Sequence, residues 1–234
     1  MTATAERPEI RSKTHVLAQH VPLEGARVID IGAGEGELVR WMRQKGADAV
    51  GVECGPVMLE RALAADPDNA NSYVNAGAQD LPFEDASADA LTFCYSLHHV
   101  PVADMPTAVA EAARVLKPGG VMYVIEPIPA GPGFEVARLI DDETVVRGHA
   151  QDALTHADDA GLEMISSERF FSEYSYPDFD AWERHVVGID PERAELMAEH
   201  RDEVEQRFHT HGRQDGGRFW FVQENDVKVF QRRP

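Results

Sequence analysis

Three glycines stand at alternate positions, Gly32, Gly34 and Gly36, directly after an apolar run. Glycine is unfavourable inside a helix or strand, so three within five positions indicate a backbone that turns tightly and lies close to something. The residues that follow, 35–45, have apolar side chains at helical spacing. The free N–H groups and the positive dipole end of such a helix suit an anionic group. We therefore interpret this stretch as a ligand-binding loop.

The glycine spacing also separates two ligand classes. A dinucleotide-binding loop has its glycines as GxGxxG, where the third permits close packing of the helix on the strand. Here the glycines follow GxGxG, and Glu37 occupies the position of that third glycine. A nicotinamide-dependent oxidoreductase is therefore a disfavoured alternative.

The elements that must position this loop alternate between strand and helix in the first half of the chain. The predicted strands are 27–31, 48–53, 71–76, 88–96 and 121–127, and the predicted helices are 35–45, 56–65 and 105–116. Repeated strand–helix–strand units form a parallel sheet with helices on both faces.

The alternation breaks after Pro127. Residues 128–150 combine loop residues with an irregular amphipathic stretch, and a helix is predicted at 151–161. The next predictions are a sixth strand at 162–171, polar helices at 178–187 and 190–212, and a seventh strand at 217–233. The predicted fold class is α/β: a doubly wound, mainly parallel seven-stranded Rossmann-like sheet with a helical lid or insertion before the last strand.

The composition of the chain argues against two classes of binding partner, nucleic acids and membranes. The 234 residues include 22 Lys and Arg against 41 Asp and Glu, a net charge of −19, which argues against nucleic-acid binding. No apolar run approaches the roughly 18 residues of a membrane span, and no signal peptide is visible at the amino terminus. We expect a cytoplasmic protein without a membrane partner; the sequence does not indicate its oligomeric state.

Metal and disulfide sites are not expected. Cys54 and Cys94 show no metal-ligand spacing, and the ten histidines show no HExxH pattern. The sequence therefore predicts no metal site.

Four ordered segments resemble one family. They are VIDIGAGEGEL at 28–38, GVECGPVML at 51–59, NAGAQDLPFEDASADALTFCYSLHHV at 75–100 and RVLKPGGVMYVIEP at 114–127. Together they resemble the class I S-adenosylmethionine-dependent methyltransferases, and most closely their small-molecule branch, type 11. The resemblance implies a single methyltransferase domain over 1–234 with its cofactor-binding core at about 20–127. It also implies that the amino-terminal stretch and the segments at about 128–150 and 172–216 select a small-molecule methyl acceptor.

The resemblance assigns residues to S-adenosylmethionine. The glycine loop would hold the amino-acid end, and Asp30 would either order that loop or contact the methionine end through water. The resemblance also implies that Glu53 binds the ribose hydroxyls and that Asp80, which follows Gln79, binds the adenine amino group. The remaining implied cofactor-binding residues are Gln79, Tyr95, and Cys54 and Met58 in the adenine pocket.

Catalytic and acceptor residues are less constrained by the family pattern. Either His98 or His99 is a candidate general base, with Tyr95 beside them, although the family carries similar histidines across unrelated substrates, which favours a structural role for at least one. Ligands of open α/β sheets bind outside the carboxyl ends of the strands, so Tyr95, Ser96, His98 and Glu126 should face that crevice.

The expected acceptor site extends beyond these strand ends. Its candidate residues are Glu126, Arg147 and His149, with the segment 131–149 and the helices of 178–211 as cover. Trp182, His185 and the apolar stripe from Met197 to Phe208 are available to close it. The alternative is that the helices pack elsewhere and Arg147 pairs with a surface carboxylate.

Two further expectations follow from the resemblance. The family's strand order places strand one between the strands of Cys54 and Cys94, which predicts free thiols. A catalytically silent S-adenosylmethionine-binding protein stays an alternative, because its binding motifs would look the same.

Overall fold

A computed structural model of the chain describes residues 8–234. The predictions about the amino-terminal stretch fall partly on residues 1–7, outside the described residues. Within the described part, no helix combines the length and apolarity that crossing a membrane requires.

The described residues form eight strands and eight α-helices. The strands are β1 (Arg27–Ile31), β2 (Asp48–Val52), β3 (Tyr73–Val74), β4 (Ala88–Cys94), β5 (Leu116–Pro127), β6 (Leu162–Tyr176), β7 (Arg213–Asp215) and β8 (Arg218–Arg232). The helices are α1 (Lys13–His20), α2 (Glu37–Gln44), α3 (Pro56–Ala65), α4 (Met105–Val115), α5 (Pro132–Ala137), α6 (Thr144–Thr155), α7 (Phe179–Ile189) and α8 (Arg193–His211).

The strands form one sheet in the order β3-β2-β1-β4-β5-β8-β6, and β7 pairs with β8. The pairs β1–β2, β1–β4, β2–β3 and β4–β5 are parallel, whereas β7–β8 is antiparallel. The predicted α/β class with a mainly parallel, Rossmann-like sheet is thus confirmed.

The predicted count of seven strands is wrong. The additional strand is β7, whose three residues are polar and exposed, so no hydrophobic alternation reveals it. Gly216 and Gly217, both with positive φ, join β7 to β8. Paired glycines are a hairpin signal, and this signal was present in the sequence.

Several predicted boundaries also differ. The helix α1 was not predicted, because eight residues with two buried apolar side chains give little periodicity. The predicted third strand shrinks to Tyr73–Val74, and β6 continues to Tyr176, beyond the predicted end at 171. The irregular stretch 128–150 contains α5 and the first half of α6. Asp190 is the C-cap residue of α7, so α8 begins only at Arg193 and not at the predicted residue 190.

The chain divides into two compact units. The first, called the sheet unit here, comprises Lys13–Glu126, Val146–Glu168 and Asp226–Pro234. Its largest hydrophobic cluster packs aliphatic side chains of β1, β4 and β5 against α4, for example Ile29, Leu91 and Met122, all fully buried. Burial of this continuous apolar surface is the main force that stabilises the unit.

The second unit, called the aromatic unit here, comprises 8–12, Pro127–Val145 and Arg169–Asn225. Its core packs α5, α7 and α8 around rings, among them Phe179, Trp182 and Phe208. The helix α7 begins where Asp178 accepts a hydrogen bond from the Ala181 N–H at 2.7 Å, a standard N-cap.

Candidate functional site

The strand order reverses direction between β1 and β4, which are neighbours in the sheet although two strands separate them in sequence. In open α/β sheets, such a switch point leaves a crevice outside the carboxyl ends of the strands. The glycine loop follows β1 there, and the turn that begins with Tyr95 follows β4. The candidate site of the sheet unit lies at this edge.

The three loop glycines all adopt the left-handed conformation, with φ of +74°, +55° and +75°. A Cβ on Gly32 would lie 2.4 Å from the Ser96 Cβ, and one on Gly36 would lie 2.5 Å from the Tyr73 ring. At Gly34, by contrast, no protein atom lies within 4 Å of a built Cβ. The outer two glycines therefore permit close packing, while the middle one leaves open space.

Glu53 connects this loop to the end of β2. Its Oε2 accepts a hydrogen bond from the Gly34 N–H at 2.8 Å, and its Oε1 accepts one from the Gly55 N–H at 2.7 Å. The two N–H groups fix the plane of the half-buried carboxylate. A carboxylate has about four acceptor positions, so it retains acceptor capacity for hydroxyl groups of a ligand.

Asp30 lies beneath the loop, 2% exposed, and accepts a hydrogen bond from the Thr92 hydroxyl at 2.7 Å. Burial raises the pKa of Asp30 from 3.8 to about 6, although the Thr92 hydrogen bond and the charge of Lys13 lower it. The structure thus holds a carboxylate at the end of β1 at a desolvation cost, which is typical of functional sites.

The turn after β4 is strained at its first residue. Tyr95 has φ of +59°, a conformation that costs about 1–2 kcal/mol for a residue with a Cβ. Its N–H donates to the Ile125 carbonyl at 2.9 Å, and the buried Ser96 hydroxyl donates to the Ile31 carbonyl. These bonds tie the turn to β5 and β1, which keeps Tyr95 at the edge of the switch point.

His98 and Glu126, both predicted site residues, form a buried pair. His98 Nδ1 is hydrogen-bonded to Glu126 Oε2, and Glu126 Oε1 accepts the Leu97 N–H at 3.1 Å. Glu126 therefore connects the end of β5 to the turn after β4. His99 is exposed, with its ring centroid 4.1 Å from that of His98. The structure brings all three side chains to the carboxyl edge of the sheet.

The residues assigned to adenine lie in two segments. Cys54 is exposed and Met58 is half-buried at the start of α3. The half-buried Gln79 folds against Gly77, where a Cβ would lie 2.6 Å from Gln79 Oε1, and Asp80 is exposed beside it.

The chain after Asp80 is fixed by a cationic clamp. Arg114 on α4 donates to the Leu81 and Phe83 carbonyls at 2.9 and 2.8 Å, and Glu111 accepts the Leu81 N–H at 2.9 Å. This ion-paired clamp restrains the conformation of the Gln79–Asp80 segment from its carboxyl side.

The residues predicted for the acceptor fall in both units. In the sheet unit, Arg147 is half-buried and His149 is exposed on α6. In the aromatic unit, Trp182 is buried against Phe179 and Phe208, whereas His185 is exposed beside Tyr176. The predicted apolar stripe of α8 is buried in the core of that unit.

Both cysteines are free. The strand order used to predict this is confirmed, because β1 lies between β2, which precedes Cys54, and β4, which contains Cys94. Burial raises the pKa of the Cys94 thiol to about 12. Cys94 is thus a packing residue, whereas Cys54 is open to solvent.

An open surface pocket of about 370 Å³ lies at the opposite edge of the sheet unit. Its lining includes Gly25, Asp89 and Lys117, near the amino ends of β1, β4 and β5, and the Lys117–Asp89 ion pair at 2.7 Å lies on its wall. None of the loop glycines and none of the predicted site residues line it. It is therefore separate from the site described above.

Sequence reasoning missed three side chains at this site: Thr92, Tyr73 and Lys13. Thr92 and Tyr73 read as ordinary strand residues, because hydrophobic alternation does not indicate which strand residue faces a carboxylate or a glycine. Lys13 lies on the unpredicted helix α1, outside every motif.

Comparison with known proteins identifies the family. A family described as "Methyltransferase domain" matches residues 29–124, which lie within the sheet unit. The chain is 33% identical over 200 residues to 27-O-demethylrifamycin SV methyltransferase of Amycolatopsis mediterranei (strain S699), covering 80% of this chain and 72% of the relative. It is also 36% identical over 115 residues to demethylmenaquinone methyltransferase of Clavibacter sepedonicus, covering 46% of this chain and 45% of that protein.

Solved structures support the same fold. A candidate methyltransferase from Bacillus halodurans C-125 superposes with a TM-score of 0.62 at 21% identity, covering 95% of this chain and 99% of that one. The expected family is thereby confirmed, and membership in it implies the use of S-adenosylmethionine. The chain belongs to the class I S-adenosylmethionine-dependent methyltransferases.

Proposed function

We propose that this protein transfers a methyl group from S-adenosylmethionine to a small-molecule acceptor. The observation that carries the proposal is the Glu53 carboxylate, which two backbone N–H groups hold across the glycine loop at 2.8 and 2.7 Å. A carboxylate fixed in this way presents its remaining acceptor positions in one orientation, which suits the two hydroxyls of a ribose.

The residues of the glycine loop fit the rest of the cofactor. The open space at Gly34, between two glycines that pack against protein, leaves room for a ligand against the backbone. The cofactor supplies an activated methyl group on a sulfonium. Asp30, Glu53 and the loop would bind and orient it, while Gln79, Asp80, Cys54 and Met58 would contact its adenine. In such displacements, alignment of the acceptor with the methyl group supplies much of the rate.

The small-molecule acceptor is supported by the relatives. The names of the two described above indicate that each methylates a small organic molecule. The net charge of −19 also disfavours a polyanionic acceptor. Glu126, Arg147 and His149 stay the proposed acceptor residues of the sheet unit, and the predicted contribution of the aromatic unit stays a prediction.

The candidate catalytic residues His98, His99 and Tyr95 differ in the role that we assign to them, and only His99 is proposed to move a proton. With Glu126 as a carboxylate, the His98 Nδ1–H donates the hydrogen bond to it, which selects the tautomer with the lone pair on Nε2. The pair also holds the turn that carries Tyr95, so we assign His98 a positioning role. The exposed His99 is the proposed general base, needed only for a protonated acceptor.

Calorimetry tests the cofactor, and transfer of a labelled methyl group tests the reaction. We expect S-adenosylmethionine and S-adenosylhomocysteine to bind, NAD(P) to bind far more weakly, and label to appear in at least one member of a panel of phenols, quinols and amines. His99→Gln should lower turnover of a hydroxyl acceptor with little change in cofactor affinity.

Two results would contradict the proposal. Equal or tighter binding of NAD(P) would refute the assigned cofactor. Tight cofactor binding without transfer to any acceptor of a broad panel would instead favour the catalytically silent binding protein.

A further inference from the structure

The helix α1 brings a cation to the carboxyl edge of the sheet unit. Its first residue, Lys13, has its Nζ 5.9 Å from the centre of the Tyr95 ring and 3.9 Å from Glu37 Oε2. Tyr95 follows β4, and Glu37 is the first residue of the helix after the glycine loop. The ammonium group therefore lies near both sides of the switch point.

The position of α1 is well determined by packing. Val16 and Leu17 are buried at 0% and 1% exposure, and His20 at the end of the helix bonds to Glu168 Oε1 at 2.7 Å. The His20 ring also lies against the Tyr123 ring, with centroids 6.2 Å apart. Because these contacts fix the helix, Lys13 is held at its beginning and only its side chain is free to adjust.

The charge of Lys13 acts on the site itself. It partly offsets the rise in pKa that burial causes for Asp30 in β1 and for Cys94 at the end of β4. Its own ion pair with Glu37 is long, and the Glu37 side chain is 84% exposed, so this pair is weak and exchangeable.

Three carboxylates surround the glycine loop, and their negative charge affects which ligand groups can bind there. Asp30, Glu37 and Glu53 are suitable partners for the ammonium group of an amino-acid ligand, but they repel its carboxylate. A ligand with both groups binds favourably only where a positive charge also faces the loop.

We propose that the Lys13 ammonium binds the carboxylate of the cofactor's amino-acid end and thereby selects amino-acid-bearing adenosyl ligands over those that lack this carboxylate. The proposal rests on the proposed function and adds a residue from outside the matched family segment, 29–124. Lys13 exchanges its weak contact with Glu37 for a charge-assisted hydrogen bond to the ligand.

A pair of ligands isolates this interaction. S-adenosylhomocysteine carries the carboxylate, whereas S-adenosyl-3-thiopropylamine is the same molecule without it. Calorimetry with both ligands is compared for the wild type, Lys13→Gln and Lys13→Arg. We expect Lys13→Gln to weaken S-adenosylhomocysteine about tenfold or more and to leave the decarboxylated ligand within twofold, and Lys13→Arg to restore most of the loss.

Lys45→Gln is the matched control. Lys45 also has its Nζ 5.9 Å from the centre of a ring, that of Trp41, but it lies at the far end of α2. This variant removes the same charge from the protein and should change neither affinity.

The outcomes separate this inference from the proposed function. If the wild type binds S-adenosylhomocysteine and Lys13→Gln binds it equally well, the role of Lys13 is refuted and the function stands. An equal loss for both ligands would also refute it, since that result indicates a structural effect of α1. If the wild type binds neither ligand, both proposals fail.

Discussion

The two units of this protein have cores built from different types of side chain. The largest cluster of the sheet unit is mainly aliphatic, with residues such as Ile29, Leu91 and Val124 from parallel strands. Half of the buried cluster of the aromatic unit consists of Phe and Trp, and the unit also buries a cation: Arg193, 9% exposed, lies 2.7 Å from Asp141 Oδ2. A regular sheet packs branched side chains well against its pleated surface, whereas the helices of the aromatic unit pack around large rings.

This difference has a functional counterpart. The matched family segment lies within the sheet unit, which also contains the glycine loop and the residues proposed to bind the cofactor. We therefore expect the two units to differ also in what each contributes to stability and to binding.

Removal of one ring should have the largest effect. Phe208 on α8 is fully buried and lies within 4.9–6.0 Å, centre to centre, of the rings of Phe179, Trp182, Phe219 and Phe221. Phe208→Ala should lower the free energy of unfolding by about 3–5 kcal/mol, as measured by denaturant titration. In folded protein, the affinity for S-adenosylhomocysteine should stay within about threefold.

The control is Leu196→Ala on the same helix, where the side chain is 42% exposed and the change should stay within about 0.5 kcal/mol. A large loss of cofactor affinity in folded Phe208→Ala would show that the aromatic unit also supports cofactor binding, and the functional contrast between the units would be lost.

The second prediction concerns the desolvated carboxylate of the sheet unit. The pKa of Asp30 is raised from 3.8 to about 6, so the folded state binds more protons than the unfolded state between these values. The wild type therefore loses stability as the pH rises through this window, by about 3 kcal/mol for a shift of about two units. Asp30→Asn removes this cost and retains an oxygen that accepts from Thr92.

Denaturation of both proteins between pH 4 and pH 8 measures this effect. Asp30→Asn should be more stable than the wild type at pH 8, by up to about 3 kcal/mol, and the difference should vanish towards pH 4. Asp152→Asn, at an exposed position of α6, should show no such pH dependence. A constant difference at every pH would mean that the charge of Asp30 is not what costs stability.

The sequence predicts residues that local rules position better than residues that long-range contacts position. The glycine loop, Asp30 and Glu53 were predictable because their positions depend on local rules: positive φ, strand ends and a polar group after each strand. Thr92 and Lys13 were not, because their contacts join segments distant in the chain, Thr92 to Asp30 and Lys13 to Tyr95. In the aromatic unit, the helices at 178–187 and 190–212 and the apolar stripe from Met197 to Phe208 were predictable from periodicity. The pairing of Arg193 with Asp141 was not, because it depends on tertiary packing.

The third prediction concerns Glu53, whose two oxygens each accept a backbone N–H. In Glu53→Gln the amide NH₂ must face one of these donors, so the side chain turns away or leaves a donor unpaired. The affinity for S-adenosylhomocysteine should fall at least tenfold, since charge-assisted hydrogen bonds are worth about 1.5–3 kcal/mol each. Calorimetry measures this loss, and Glu60→Gln on the exposed side of α3 is the control.

If Glu53→Gln is folded by circular dichroism and binds S-adenosylhomocysteine as tightly as the wild type, Glu53 does not bind the ribose. The proposed cofactor binding would then depend on the loop backbone and the remaining residues of the site, without Glu53.

The smallest predicted effect tests whether the two units unfold together. Gly148 lies within α6 in the sheet unit, and Gly188 lies in the last turn of α7 in the aromatic unit. Neither has a positive φ, and a Cβ on either would meet no atom within 4 Å. Each Gly→Ala change should therefore stabilise its helix, by up to about 1 kcal/mol, through the lower entropy of the unfolded chain. Gly216→Ala, at a φ of +58°, is the opposite control and should destabilise the protein.

In calorimetric scans, cooperative units would give one transition that Gly148→Ala and Gly188→Ala both shift upward. Independent units would give two transitions, with Gly148→Ala raising one and Gly188→Ala raising the other. The strand order β5-β8-β6 favours the single transition, because β6 and β8 each contain residues of both units, so separating the units would break two continuous strands.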